Sequence, residues 1–169
     1  MPNSFPHDYA QTIFEEIRDR PYRGTTYPEK SQNCYFKGTE LLSRLTTLGF
    51  AMRARIGEMQ WEDAPVPTEI VKLLPKDSIS THFYPEIFID EKWRILDPSW
   101  NKSFAQKYNL PYSKFGEDNE SCFKITKLYD ETEQAQYIKD WTEKESNDSS
   151  NDLFITAMNN WLEDVNPKE

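Results

Sequence analysis

Residues 80–100 read STHFYPEIFIDEKWRILDPSW. Two runs rich in aromatic and β-branched residues, Thr81–Ile89 and Lys92–Asp97, are separated only by Asp90 and Glu91, the pattern of an antiparallel hairpin. Alternate side chains of a strand share a face, so His82, Tyr84, Glu86 and Phe88 fall together. A two-residue turn at Asp90-Glu91 pairs Ile89 with Lys92 and Tyr84 with Asp97; a turn one residue earlier pairs Phe88 with Glu91 and His82 with Asp97. Both registers leave Asp97 on the face of His82, directly opposite or one diagonal away, roughly 5 to 8 Å apart. Pro85 lacks a ladder donor, which predicts an edge strand or a bulge. A turn without glycine predicts a longer or distorted loop.

Working outward, residues 32–50 read QNCYFKGTELLSRLTTLGF. Gly38, Leu41, Leu42, Leu45 and Leu48 share one helical face with Cys34, and Gly49 is the expected terminator, so Cys34 sits in the first turn of a helix ending at Leu48. Phe50–Gly57 then sets Met52, Ala54 and Ile56 against Arg53 and Arg55, a half-buried strand. Before them, His7–Arg20 carries Tyr9, Ala10, Ile13, Phe14 and Ile17 at helical spacing and is stopped by Pro21, while Tyr22–Asn33, with Gly24 and Pro28, reads as loop. Trp61–Asp77 is proline-rich loop with one helical turn at 68–73. Beyond the hairpin, Ser121–Leu128 is expected as a strand, Glu131–Lys144 as a polar helix, Glu145–Asp152 as a linker, and Leu153 to Val165 as a last amphipathic helix. The fold class is α+β: N-terminal helices packed on an antiparallel sheet, in one domain over 6–166, with its core at 31–101 and a helical extension over about 131–166. Ile13, Ile17, Leu41, Leu45, Leu48, Ile56, Ile87, Ile95 and Leu96 are expected in the core.

The 169 residues carry a net charge of -9 with no block of Lys or Arg, which argues against a nucleic acid partner. No apolar run approaches the roughly 18 to 20 residues a spanning helix needs, and Met1–Phe5 lacks the marks of a signal peptide, so a cytoplasmic protein without membrane partners is expected. The two cysteines, Cys34 and Cys122, and two histidines have no zinc spacing, so neither metal nor cofactor is expected, and a reduced compartment needs no disulfide.

A thiol nucleophile needs a base to take its proton, and the base needs a third group to fix its tautomer and stabilise the imidazolium. Cys34, His82 and Asp97 supply those types. Unpaired N–H groups at a helix start favour a thiolate and can hold an oxyanion.

Taken together, QNCYFKGTELLSRLTTLGFAMRARIG and STHFYPEIFIDEKWRILDPSW resemble the core of the transglutaminase-like superfamily of papain-like thiol enzymes. The likeness spans about residues 31–101: a cysteine opens a helix that closes on "LGF" before an arginine-bearing strand, a histidine follows in an aromatic strand, and an aspartate follows in "W-x-x-L-D-P". Cys34, His82 and Asp97 are the matched triad, flanked by Gly49, Arg55, Glu86, Trp93 and Pro98. The resemblance implies a papain-like core and acyl transfer through a thioester. Asn33 stands where the family has glycine, and Pro28, not glutamine, lies six residues before the cysteine. The Cys34 backbone N–H and the Gln32 side chain are therefore the candidate oxyanion donors, with Tyr84 and Trp61 the candidate walls of an acyl pocket.

Each residue also has a plainer reading. Cysteine is among the most buried residue types, His82 suits a satisfied strand histidine, and Asp97 before Pro98 suits a turn. Cys122 is read as structural, and Glu86 as the partner of a structural arginine. The combined motif favours a cysteine peptidase or amidase acting on a peptide, protein or small amide. Hydrolysis is preferred over transamidation because no calcium loop and no further domain to present a lysine is read from the sequence. The alternative is a catalytically silent scaffold that holds a peptide or protein partner, with Trp141 and Trp161 as its docking surface.

Overall fold

The computed structural model describes residues 4–25, 31–143 and 150–166, with the side chains of 4, 5 and 141–143 left aside. Helices α1 (Ser4–Arg18) and α2 (Cys34–Thr47) precede strand β1 (Met52–Gln60), a 3-10 turn at Trp61–Asp63 and the single-turn α3 (Thr68–Val71). The hairpin β2 (Ile79–Ile89) and β3 (Lys92–Ile95), helix α4 (Lys102–Tyr108), β4 (Lys127–Leu128), α5 (Glu131–Glu143) and α6 (Asp152–Val165) follow. The antiparallel sheet has the order β3-β2-β1-β4, an α+β architecture with helices from both ends of the chain around one curled sheet. No helix among the described residues is long and apolar enough to cross a membrane.

The hairpin takes the first register: Ile89 pairs with Lys92 and Glu86 with Ile95. Contrary to the expected long loop, the turn is two residues, with φ of 51° at Asp90 and 63° at Glu91. Positive φ at both centres is what a type I′ hairpin turn requires, and the Asp90 carboxylate accepts from Arg94 Nη2 at 3.1 Å across it. Pro85 is also not at an edge, since β2 lies between β1 and β3 and Pro85 pairs with Ala54 in regular register. Its missing N–H instead faces the end of β3. Leu96 N–H donates to the Pro85 carbonyl at 2.9 Å, proline returns no bond, and the ladder closes where the chain leaves for Asp97.

Helix α2 ends in a Schellman motif: Gly49 N–H donates to Thr46 O and Phe50 N–H to Leu45 O, with Gly49 at φ 90°. Its buried stripe is Lys37, Gly38, Leu41 and Leu45. Leu48 is 37% exposed because it is the capping residue itself, past the last turn that faces the sheet. Tyr9 and Leu153 are likewise exposed and Ile95 half-buried, whereas Ile13, Ile17, Ile56, Ile87 and Leu96 are buried as expected. One apolar cluster joins α1 and α2 to Ile87, Ile89 and Leu96; a second gathers Tyr22, Trp61, Trp100, Phe104, Phe123 and α6 residues Phe154, Met158 and Leu162.

Helix α6 thus contributes Phe154, Met158 and Leu162 to that core. Asn159 on α6 clasps Gly24 by two bonds, Gly24 N–H to Oδ1 at 2.8 Å and Nδ2 to Gly24 O at 3.1 Å. Trp161 is half-buried against Phe104 and Tyr108, so it does not stand free as a docking face; the Trp141 side chain, Pro28 and linker residues 145–149 lie outside the described residues. The strand expected over Ser121–Leu128 shrinks to two residues, because Cys122 turns its N–H to the Asp97 carboxylate instead of to a neighbouring strand.

Candidate functional site

Asn33 caps α2: it is extended (φ -85°, ψ 179°), its Oδ1 accepts Phe36 N–H at 3.0 Å and its carbonyl accepts Lys37 N–H at 3.0 Å. Asn33 thus makes the helix start. Cys34 follows as the first helical residue, half-buried, with a free thiol that opens on a cleft of about 660 Å³. Tyr22, Tyr35, Phe36, Trp61, Thr81 and Tyr137 are among the residues that line it.

His82 is 1% exposed, its ring stacked on Tyr84 at 5.5 Å and tilted on Phe123 at 4.7 Å. Nε2 lies 2.6 Å from Asp97 Oδ2. A carboxylate only accepts, so Nε2 carries the proton, and in the neutral ring Nδ1 is left with its lone pair. Nδ1 is buried with no hydrogen-bond partner among the described residues. Burial opposes a charged imidazole, but the Asp97 charge and hydrogen bond, with a further contribution from the adjoining Cys34 thiol, raise His82 to about 10. The imidazole therefore stands between the carboxylate and the cysteine.

Asp97 is fully buried and heavily served. Oδ1 accepts Ser99 N–H at 3.0 Å and Ser99 Oγ at 2.6 Å, while Oδ2 accepts Cys122 N–H at 2.8 Å besides His82. Burial works against its charge, yet His82 and these donors hold it down at about 2. The plainer reading of Asp97 as a turn-former also holds, since its Oδ1 bond to the backbone two residues on is an Asx turn while Oδ2 faces the histidine.

One turn after Cys34 on α2, Lys37 is 0% exposed, and its Nζ donates to Arg18 O (2.9 Å), Arg20 O (2.7 Å) and Ser99 O (3.0 Å). Burial lowers it to about 7. A closed ring results: Cys34, one helical turn to Lys37, then Ser99, Asp97, His82 and back to Cys34. Lys37 was legible as a charged residue on an apolar helical stripe; Ser99 carried no separate signal.

The other expected residues are placed differently. Tyr84 does not line the cleft; it is buried as the platform under His82. Gln32 also stays out of the cleft, its backbone paired both ways with Arg23 at 3.2 and 3.1 Å, which fixes the loop before Cys34. Trp61 does line the cleft, while its ring also meets Phe123 and Phe154. Glu86 bonds Arg53, as its structural reading expects, with Arg53 over the Trp93 ring at 4.3 Å. Cys122 is buried and its thiol is pushed up by burial, so it is structural, yet it lies at the site: its N–H serves Asp97. Tyr22, missed by sequence reading, shares the cleft wall with Cys34. Compared with models of protein families, with curated proteins and with solved structures, the chain matches none.

Proposed function

We propose that this chain is a cytoplasmic thiol enzyme of the transglutaminase-like kind, with a papain-like pairing of nucleophile helix and histidine strand, acting on an amide, peptide or acyl carbonyl. One atom carries the reading: Nδ1 of His82, buried and unpartnered, on the imidazole that adjoins Cys34 while Nε2 is committed to Asp97. A histidine there to satisfy a core would use both nitrogens. The Asp97 charge also raises His82 against the opposing effect of burial, which strengthens the imidazole as the base for the thiol proton.

The steps follow. The Cys34 proton passes to Nδ1, and Asp97 holds the imidazolium. The thiolate adds to the carbonyl carbon, and the tetrahedral adduct collapses as His82 returns the proton to the leaving nitrogen, which leaves a thioester on Cys34. Water, deprotonated by His82, adds to the thioester and releases the acid and the thiol. Cys34 is half-buried rather than sealed, so water has access, which favours hydrolysis over transfer to an amine.

Chloroacetamide labelling at pH 6 tests the reading without a known substrate. An ordinary cysteine labels slowly there, so a Cys34 whose proton His82 draws off should label up to about a hundredfold faster than Cys34 in His82→Ala. Equal rates in the two proteins would sink the catalytic reading and favour the silent scaffold.

A further inference from the structure

We infer that Tyr22 is a catalytic residue: its phenolic O–H, beside the Cys34 backbone N–H, forms the oxyanion hole. This rests on the reading of Cys34 as nucleophile. A tetrahedral oxyanion needs at least two donors converging where the carbonyl oxygen will lie. At the start of α2, Phe36 N–H and Lys37 N–H are already taken by the Asn33 side chain and carbonyl, so they are not available. The Cys34 N–H is different: it is not spent on the Asn33 cap, and the Tyr22 phenol, which interacts with it, lines the same cleft. A carbonyl oxygen entering the cleft beside Cys34 would take that N–H and the phenolic O–H together.

Three further observations fit a fixed donor. Tyr22 is 6% exposed, and its ring is held at 4.9 Å from Trp100 and 6.3 Å from Phe123. The Arg23–Gln32 backbone bridge ties the residue after Tyr22 to the chain just before Cys34, so phenol and nucleophile move as one body. Burial, with Cys34 and Asp97 nearby, pushes the phenol well above its ordinary range, so it keeps its proton and remains a donor. Gln32, the side-chain donor expected from sequence, is outside the cleft.

The test separates two reagents that meet Cys34 by different chemistry. Chloroacetamide reacts by displacement: the S–C bond forms, chloride leaves and no oxyanion appears. With p-nitrophenyl acetate the sulfur adds to the carbonyl, an oxyanion forms, and collapse expels p-nitrophenolate, leaving an acetyl thioester that water cleaves to acetate. Tyr22→Phe keeps the ring and removes only the hydroxyl. It should slow p-nitrophenolate release at Cys34 by about a hundredfold or more, while chloroacetamide labelling of the same protein stays within about twofold of wild type. A loss of both rates together would overturn the proposal in favour of a purely supporting role for the ring, and a loss of neither would overturn it outright. Failure of the underlying reading looks different: wild type itself would then react with both reagents no faster than His82→Ala, and the oxyanion hole would fall with it.

Discussion

Replacing Gly38 by alanine presses on the distance between Cys34 and His82, the proposed nucleophile and base. A Cβ at Gly38 would stand 2.7 Å from Cδ1 and 2.8 Å from Cε1 of Phe83. Carbon atoms settle at roughly 3.5 to 4.0 Å, so the contact is short by about 0.8 Å or more. Phe83 is 6% exposed and edges onto Tyr35, so its ring has little room to turn, and the relief is a shift of α2 away from β2. Cys34 rides on α2 and His82, next to Phe83, on β2, so that shift opens the gap between them. Stability responds weakly: alanine gains about 1 kcal/mol of helix propensity over glycine, and overpacking costs about 1 to 3 kcal/mol, a net loss of roughly 0 to 2 kcal/mol. Tm should fall by about 8 °C at most for a chain of this size. Reactivity responds strongly, since about 1 Å of misplacement can cost on the order of a hundredfold. The assay is chloroacetamide labelling of Cys34 at pH 6, followed by intact mass, beside a thermal melt. A folded Gly38→Ala protein that labels at the wild-type rate would refute the claim that α2–β2 contact sets the thiol–imidazole geometry.

Asp97→Ala should lose more Cys34 reactivity than Asp97→Asn, because the amide still accepts from Nε2–H but cannot balance the imidazolium; the alanine variant should also lose about 3 to 5 kcal/mol in urea unfolding, leaving His82, Ser99 and Cys122 without their acceptor. Cys122→Ser should keep near-wild-type labelling of Cys34, since only the backbone N–H of that residue serves Asp97; equal loss to Cys34→Ala would overturn the choice of nucleophile. Stability should also follow pH in two limbs. Against the opposing effect of burial, the Asp97 charge raises His82 from its ordinary 6.5 to about 10, so its contribution is complete below 6.5 and lost as pH rises through 10. Asp97, held from 3.8 down to about 2 by His82 and its donors despite burial, contributes above 3.8 and is lost as pH falls through 2. Melts should therefore show the pair's full contribution between 3.8 and 6.5, and its alkaline limb should vanish in His82→Ala. Lys37→Met should cost on the order of 2 to 4 kcal/mol in urea unfolding, because two buried carbonyls and a part-buried one lose their donor; an unchanged midpoint would mean that the cation contributes nothing net.

Sequence reading was strongest where period and register do the work. Strand alternation put Asp97 within reach of His82 before any coordinates, and the stripe of α2 put Cys34 at a helix start. It was weaker where local chemistry has more than one solution. Glu91 reads as a poor occupant of a tight turn, yet it adopts φ 63° there, at a cost of roughly 1 to 2 kcal/mol that the surrounding sheet meets. Pro85 reads as an edge residue, but inside a sheet a proline is tolerated where the neighbouring strand has just ended. Tyr22 and Ser99 were illegible for another reason: their roles depend on a backbone bridge and a lysine bond between residues 62 apart, and no periodicity reports such contacts.

That ring through Lys37 has a consequence for the chain during its synthesis. Cys34 emerges early, but the carboxylate that orients its base takes donors from Ser99 and Cys122, and the helix beneath it is moored to the Ser99 carbonyl. On the proposed reading, a nascent chain therefore holds Cys34 without its assembled partners until Ser99 and Cys122 have emerged. Thiol chemistry then begins only at closure, so the half-made protein is spared premature acylation.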